Sequence, residues 1–319
     1  MKRLINEVID MSEKKNLGEK IKKAAADAQS FGEDAVDMAK GGIIAAKDAI
    51  VKAIDENDNG EIDIEDIIIK GLKVPGIRIN RSDFLRKEFF KHYPEDAIND
   101  AIAFNPSHAG IPLDVINKIA DDVIQYERVC VSGISTALSV PGGMAMVATI
   151  PADIAQYYGY MLRATQELLY LYGFPEIDVA EKGTRFDAET LNILTICLGV
   201  MYGVNGANKA LKVMAQALAN GVEKKLINAA LTKGTIYPIV KKVTLWFGKK
   251  MTKEVFAGFF KKAIPVVGGV VGGVITYTSF KPCCDKLKAS LQDTILSNPD
   301  SKPVENIEDV IIDAEVVEE

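Results

Sequence analysis

The sequence predicts an all-α protein, a multi-helix bundle with N-terminal amphipathic helices, glycine-rich helix packing and a flexible acidic C-terminal tail. Valine and isoleucine recur at helical spacing rather than in alternation, and turn signals are too sparse for strands of comparable length. Three uncharged runs, residues 129–152, 190–208 and 263–280, read as buried helices or as segments that enter or lie on a membrane, since each is near the length of a spanning helix but is broken by Pro, Gly or Asn. A composition 48% hydrophobic and 26% charged, with mean hydropathy +0.08, suits a folded helical chain near the apolar edge of soluble ones.

Taken in order, the first fifty-odd residues repeat Ala, Lys, Asp and Glu with apolar residues at helical spacing, as in IKKAAADAQ and GGIIAAKDAIVKAID. They read as one or two amphipathic helices with Gly41 and Gly42 as a weak point. The acidic loop DENDNGEIDIED, residues 55–66, comes next, then a short apolar helix, IEDIIIKGLKV, stopped by Pro75 and Gly76. RSDFLRKEFFKHY is a further helix with Ser82 as its expected N-cap, and another starts at Pro94. Pro151 suits the first turn of a helix, and Asp153 suits its positive end. The expected division is an N-terminal helical region over 1–109, a helical core over 110–296 and an acidic tail over 297–319.

The loop matches the calcium-binding spacing in which positions 1, 3, 5, 7, 9 and 12 supply oxygens and Gly at position 6 allows the sharp turn. Those positions hold Asp55, Asn57, Asn59, Glu61 (through its carbonyl), Asp63 and Asp66, with Gly60 at the turn. Aspartate at position 12 reaches an ion less easily than the usual glutamate, which weakens affinity. In this the loop resembles the EF-hand-like loops of dockerin modules, although a dockerin carries two and one is visible here. Two outcomes stay open. Calcium or magnesium is held as a structural clip between helices, or the acids and amides cap the following helix without an ion.

A second resemblance is carried by TIPADIAQYYGYMLRATQELLYLYGF, residues 149–174, by KAIPVVGGVVGGVITYTSF, residues 262–280, and by SGISTALSVPGG at 132–143. Together these resemble the EcsC family over roughly residues 110–290. The matching positions are Pro151, Asp153, Arg163, Tyr172, Gly173, Pro265, Gly268, Gly272 and Gly273, and Thr276 stands before Tyr277 where the pattern has Asn. The resemblance implies a helical bacterial protein and supplies no reaction. The calcium-like loop lies outside it.

On a helix after Pro151, Asp153, Gln156, Tyr157, Tyr160, Arg163 and Glu167 fall within an arc of about 120 degrees. The stripe reads either as a polar cleft for a small ligand, with Asp153, Tyr157, Tyr160, Arg163 and Glu167 as binding residues, or as a solvated face or buried pair that orients helices. Gly268 with Gly272, and Gly269 with Gly273, allow another helix to approach closely. Upstream of them, Lys241, Lys242, Trp246, Lys249, Lys250, Lys261 and Lys262 mix cations with aromatics, either as a helix that lies on an anionic membrane surface or as core aromatics with a solvated lysine face.

Residues 205–262 hold twelve lysines against two acids, whereas residues 297–319 hold eight acids against Lys302, so the tail is a candidate intramolecular partner for the basic stretch. Nucleic acid is disfavoured because that stretch has no arginine for bidentate contacts. His92 and His108 are too few for a histidine-based metal site or a catalytic triad, and no nucleophile stands beside a base, so the protein is not expected to be an enzyme. Cys130, Cys197, Cys283 and Cys284 lack metal or redox spacing, and the charged N-terminus lacks a signal-peptide pattern. A cytoplasmic protein, peripheral on the inner face of the cell membrane, is the expectation.

Overall fold

The computed structural model describes residues 50–56, 59–138, 143–177, 188–219, 237–247 and 268–301. The helices expected before residue 50, Asn57, the four lysines 249, 250, 261 and 262, and the tail beyond 301 lie outside these. Among the described residues there are ten helices and no strand, as the sequence predicts. They are α1 (residues 50–54), α2 (Ile64–Lys73), α3 (Arg81–Phe89), α4 (Glu95–Ala103), α5 (Leu113–Leu138), α6 (Gly143–Leu171), α7 (Ala188–Met201), α8 (Ala207–Ala219), α9 (Tyr237–Trp246) and α10 (Gly268–Leu291).

Local chemistry explains the boundaries. Asp63 caps α2 by accepting from the N–H groups of Glu65 and Asp66, while Asp66 accepts from the N–H of Asp63 in return, so two orphan donors are satisfied reciprocally. The cap of α3 is Asn80 rather than the expected Ser82, because Asn80 has extended backbone and its side chain reaches the N–H of Asp83 at 3.0 Å. Helix α6 starts at Gly143, not after Pro151, which sits inside it. It ends at Leu171, and Gly173 just beyond it has φ +90°, in the left-handed region. The Phe174 N–H returns to the Leu169 carbonyl and the Gly173 N–H to that of Tyr170.

Helix α6 is the axis of the molecule, packed by α5, α2, α10, α3 and α7. Met161, Leu162, Leu168, Leu169 and Leu171 are fully enclosed, and one continuous apolar core runs from Ile50 to Leu296. Helix α10 packs along most of α5 and also touches α7 and α8. The four cysteines are free thiols, three of them buried.

Where α2 crosses α6, glycine meets glycine. A Cβ on Gly71 would lie 2.8 Å from Leu162 Cδ1 and 3.1 Å from the Gly159 nitrogen, and one on Gly159 would lie 3.1 Å from the Gly71 carbonyl oxygen. Backbone cannot swing aside as a side chain does. Gly71→Val is therefore expected to lower stability by about 2–3 kcal/mol in urea unfolding, and a loss below about 0.5 kcal/mol would show that the crossing is not close-packed.

Candidate functional site

The polar stripe of α6 is buried against its neighbours and splits into two clusters. At the lower level Arg163 donates from Nε to Glu127 Oε1 of α5 at 2.9 Å, pairs through Nη2 with Glu167 Oε1 at 3.1 Å, and donates from Nη1 to the Gly76 carbonyl. Glu127 and Glu167 are 1% and 3% exposed, so two carboxylates share one cation out of water. Burial, then the nearby Glu127 charge, holds the Glu167 carboxyl well above the usual carboxylate range, against the opposing pull of Arg163. Oε2 of Glu167 is buried with no hydrogen-bond partner.

At the upper level Thr276 of α10 donates to Ser135 of α5 at 3.1 Å, and Ser135 donates to Asp153 Oδ1 at 2.6 Å. This hydroxyl chain ties three helices together at one height. Tyr157 points towards α10, 3.2 Å from Ser279 Oγ and edge-on to Phe280. Tyr160 packs on Ile134, Leu138 and Ala152. The spacing correctly brings Arg163 and Glu167 together, but Asp153, Tyr157 and Tyr160 face different neighbours. Within the stripe Arg163 pairs with Glu167, whereas Asp153 and Tyr157 bond to side chains of α5 and α10.

In the acidic loop, Gly60 has φ +83°, as the sharp turn demands. Asp55 accepts from the N–H groups of Asn59 and Gly60, and Asn59 accepts from that of Glu61 while donating to Asp63 Oδ2. Asp66 is fully buried and spends both oxygens on backbone, Oδ1 on the Glu56 N–H at 2.7 Å and Oδ2 on the Asp63 N–H at 2.9 Å. Burial pushes its carboxyl up to about 6, with the charges of Asp63 and Asp55 adding to the rise and the two backbone donors opposing it. Among the described residues no group of three or more His, Cys, Asp or Glu has metal-holding geometry.

On α9, Lys241 is exposed, and Leu245 one turn on is 47% exposed. Trp246 instead turns inward, with its ring centroid 5.5 Å from that of Tyr202, and Lys242 buries its ammonium. Of the paired glycines, Gly273 is the one whose surroundings are described. A Cβ there would fall 2.0 Å from Thr136 Oγ1 of α5, so this glycine marks a close α10–α5 crossing.

Sequence reasoning missed Arg81. It is 6% exposed and donates to four carbonyls, those of Phe174, Ala101, Ile102 and Phe104. Three of these acceptors lie at the C-terminal end of α4, where carbonyls lack helical partners. Compared with known proteins, the chain matches no family model, no curated protein and no solved structure.

Proposed function

We propose that the protein is an EcsC-like, non-enzymatic protein that associates peripherally with the anionic, cytoplasmic face of a membrane. The observation that carries this is the exposed Lys241–Leu245 turn of α9, which places a cation and an apolar side chain on one outward face. In the sequence it leads into the lysine pairs at 249–250 and 261–262. A face of that kind binds through buried apolar area plus attraction to acidic headgroups. Internal engagement of Asp153, Arg163 and Glu167 favours this over a ligand cleft. No helix among the described residues is long and apolar enough to cross a membrane, which agrees with surface attachment.

Co-sedimentation with vesicles of phosphatidylcholine and phosphatidylserine tests the proposal, with pure phosphatidylcholine as the comparison. Binding is expected on the anionic vesicles and should strengthen when residues 302–319 are deleted, because that acidic tail competes for the same lysines. No sedimentation with either vesicle would end this reading.

The turned loop favours a second, structural role for a cation. Calcium or magnesium would be held by Asp55, Asn57, Asn59, the Glu61 carbonyl, Asp63 and Asp66, and would clip α1 to α2. Because Asp66 is already engaged by two N–H groups, the fit is to weak binding. Titration calorimetry should find calcium affinity no tighter than about millimolar. Absence of heat there would leave the loop as a helix-capping turn.

A further inference from the structure

We propose that the uncharged end of the α5–α6–α10 bundle inserts into one leaflet of the anionic bilayer. This rests on the peripheral reading above and names the part of the protein that enters the lipid.

The pairings fix which helix ends meet. Lys288 bridges to Asp121 at 2.7 Å, Arg128 donates to the Tyr277 carbonyl at 2.7 Å, and Thr276 meets Ser135, so α10 runs antiparallel to α5. Glu127 meets Arg163, Ser135 meets Asp153, and Thr149 donates to the Leu138 carbonyl, so α6 also runs antiparallel to α5. The end of α5 and the starts of α6 and α10 therefore gather at one pole. Residues 129–152 and 263–280 contain no Asp, Glu, Lys or Arg, so the helix segments at that pole carry no charge.

What faces outward changes with height along the same helices. Among the described residues, the large apolar side chains exposed near the pole are Val274 (53%), Ile275 (37%), Tyr277 (38%) and Val129 (38%), with the hydroxyls of Thr136 and Thr278 exposed beside them. Further down, α10 exposes Lys286 and α5 exposes Asp121 and Asp122. The hydroxyls near the pole are also closed off. Thr136 Oγ1 donates to the Ser132 carbonyl at 2.8 Å, Thr278 Oγ1 to that of Val274 at 2.9 Å, and Ser132 Oγ to that of Arg128 at 2.6 Å. These three donors are thereby satisfied within their own helices, as hydrocarbon requires, where an unsatisfied donor would cost several kilocalories.

At the boundary between the charged and uncharged parts, the Arg128 guanidinium carbon lies 3.3 Å from the Tyr277 ring centroid. A cation on an amphipathic ring suits the headgroup layer, where tyrosine concentrates and basic side chains meet lipid phosphate. From Val129 to Leu138 the uncharged part of α5 rises about 15 Å, half of a hydrocarbon core of about 30 Å, so it reaches through one leaflet and no further.

The test compares the full chain with Val274→Glu/Ile275→Glu on phosphatidylcholine–phosphatidylserine vesicles at low salt and at about 0.5 M salt, where surface charge is screened. Wild type is expected to retain a salt-resistant bound fraction. The double variant should partition about tenfold less and lose that fraction. Ile275→Trp in a Trp246→Phe background leaves one tryptophan nearer the pole, and its fluorescence should be quenched by lipids brominated along the acyl chains.

If wild type binds but the double variant binds equally and the tryptophan is unquenched, insertion is wrong while peripheral binding stands. If wild type binds no vesicle, both fall. A wild-type dimer that the double variant dissolves, seen by sedimentation equilibrium, would assign the pole to a second copy. A large fall in Tm of the double variant would assign it to the protein's own core. Either result overturns the proposal.

Discussion

Arg81→Ala is expected to lower stability by about 4 kcal/mol in urea unfolding, because hydrogen bonds to a charged group are worth about 1.5–3 kcal/mol each and the abandoned carbonyls are not all replaced by water. The guanidinium is buried and fans out to the carbonyls of Phe174, Ala101, Ile102 and Phe104. Three of its acceptors terminate α4 and the fourth follows α6, so one side chain closes two helix ends at once. Lysine keeps the charge but offers no planar fork, and Arg81→Lys should recover less than half of the loss. A loss under about 1 kcal/mol for alanine would mean that water satisfies these carbonyls unaided.

Arg163→Ala is the next largest expected loss, about 3–5 kcal/mol at neutral pH, since it leaves Glu127 and Glu167 buried together without their cation. The sign of the pH effect follows from Glu167, whose carboxyl is held above its ordinary value first by burial and then by Glu127. A group raised in this way favours the folded state while protonated. Its contribution is fully present below the ordinary carboxylate value and is lost as pH rises through the higher folded value. The Arg163→Ala deficit should therefore shrink as pH falls and Glu167 takes up its proton. Wild-type Tm should decline on the alkaline side, and Glu167→Gln should flatten that decline. An Arg163→Ala deficit independent of pH would show that lost packing, not charge, explains the cost.

Helical periodicity made the helices legible, and i,i+4 spacing made the Arg163–Glu167 pair legible. Glu127 was not, because it lies 36 residues from Arg163 and the register of α5 against α6 is a tertiary fact. Arg81 failed for the same reason, since its acceptors lie 20 to 93 residues away and its neighbours read as an ordinary polar first turn. Pro151 misled differently. Proline favours a helix's first turn, but α6 begins at Gly143 and carries Pro151 inside it. Trp246 was grouped with the lysines around it, yet aromatic contacts with Tyr202 and Phe247 draw it inward.

The antiparallel pairing of α5 with α10 has a consequence for how the chain is made. Arg128 and its acceptor at Tyr277 are separated by 149 residues. At a synthesis rate of about 5–20 residues per second, α5 waits roughly 7 to 30 seconds for its partner to emerge from the ribosome. Throughout that interval Ser135 and Asp153 lack the Thr276 hydroxyl, and the apolar flank that α10 will cover faces water. The nascent chain thus exposes this flank for that interval, and a chaperone, or the membrane itself, has the same interval in which to cover it before α10 arrives.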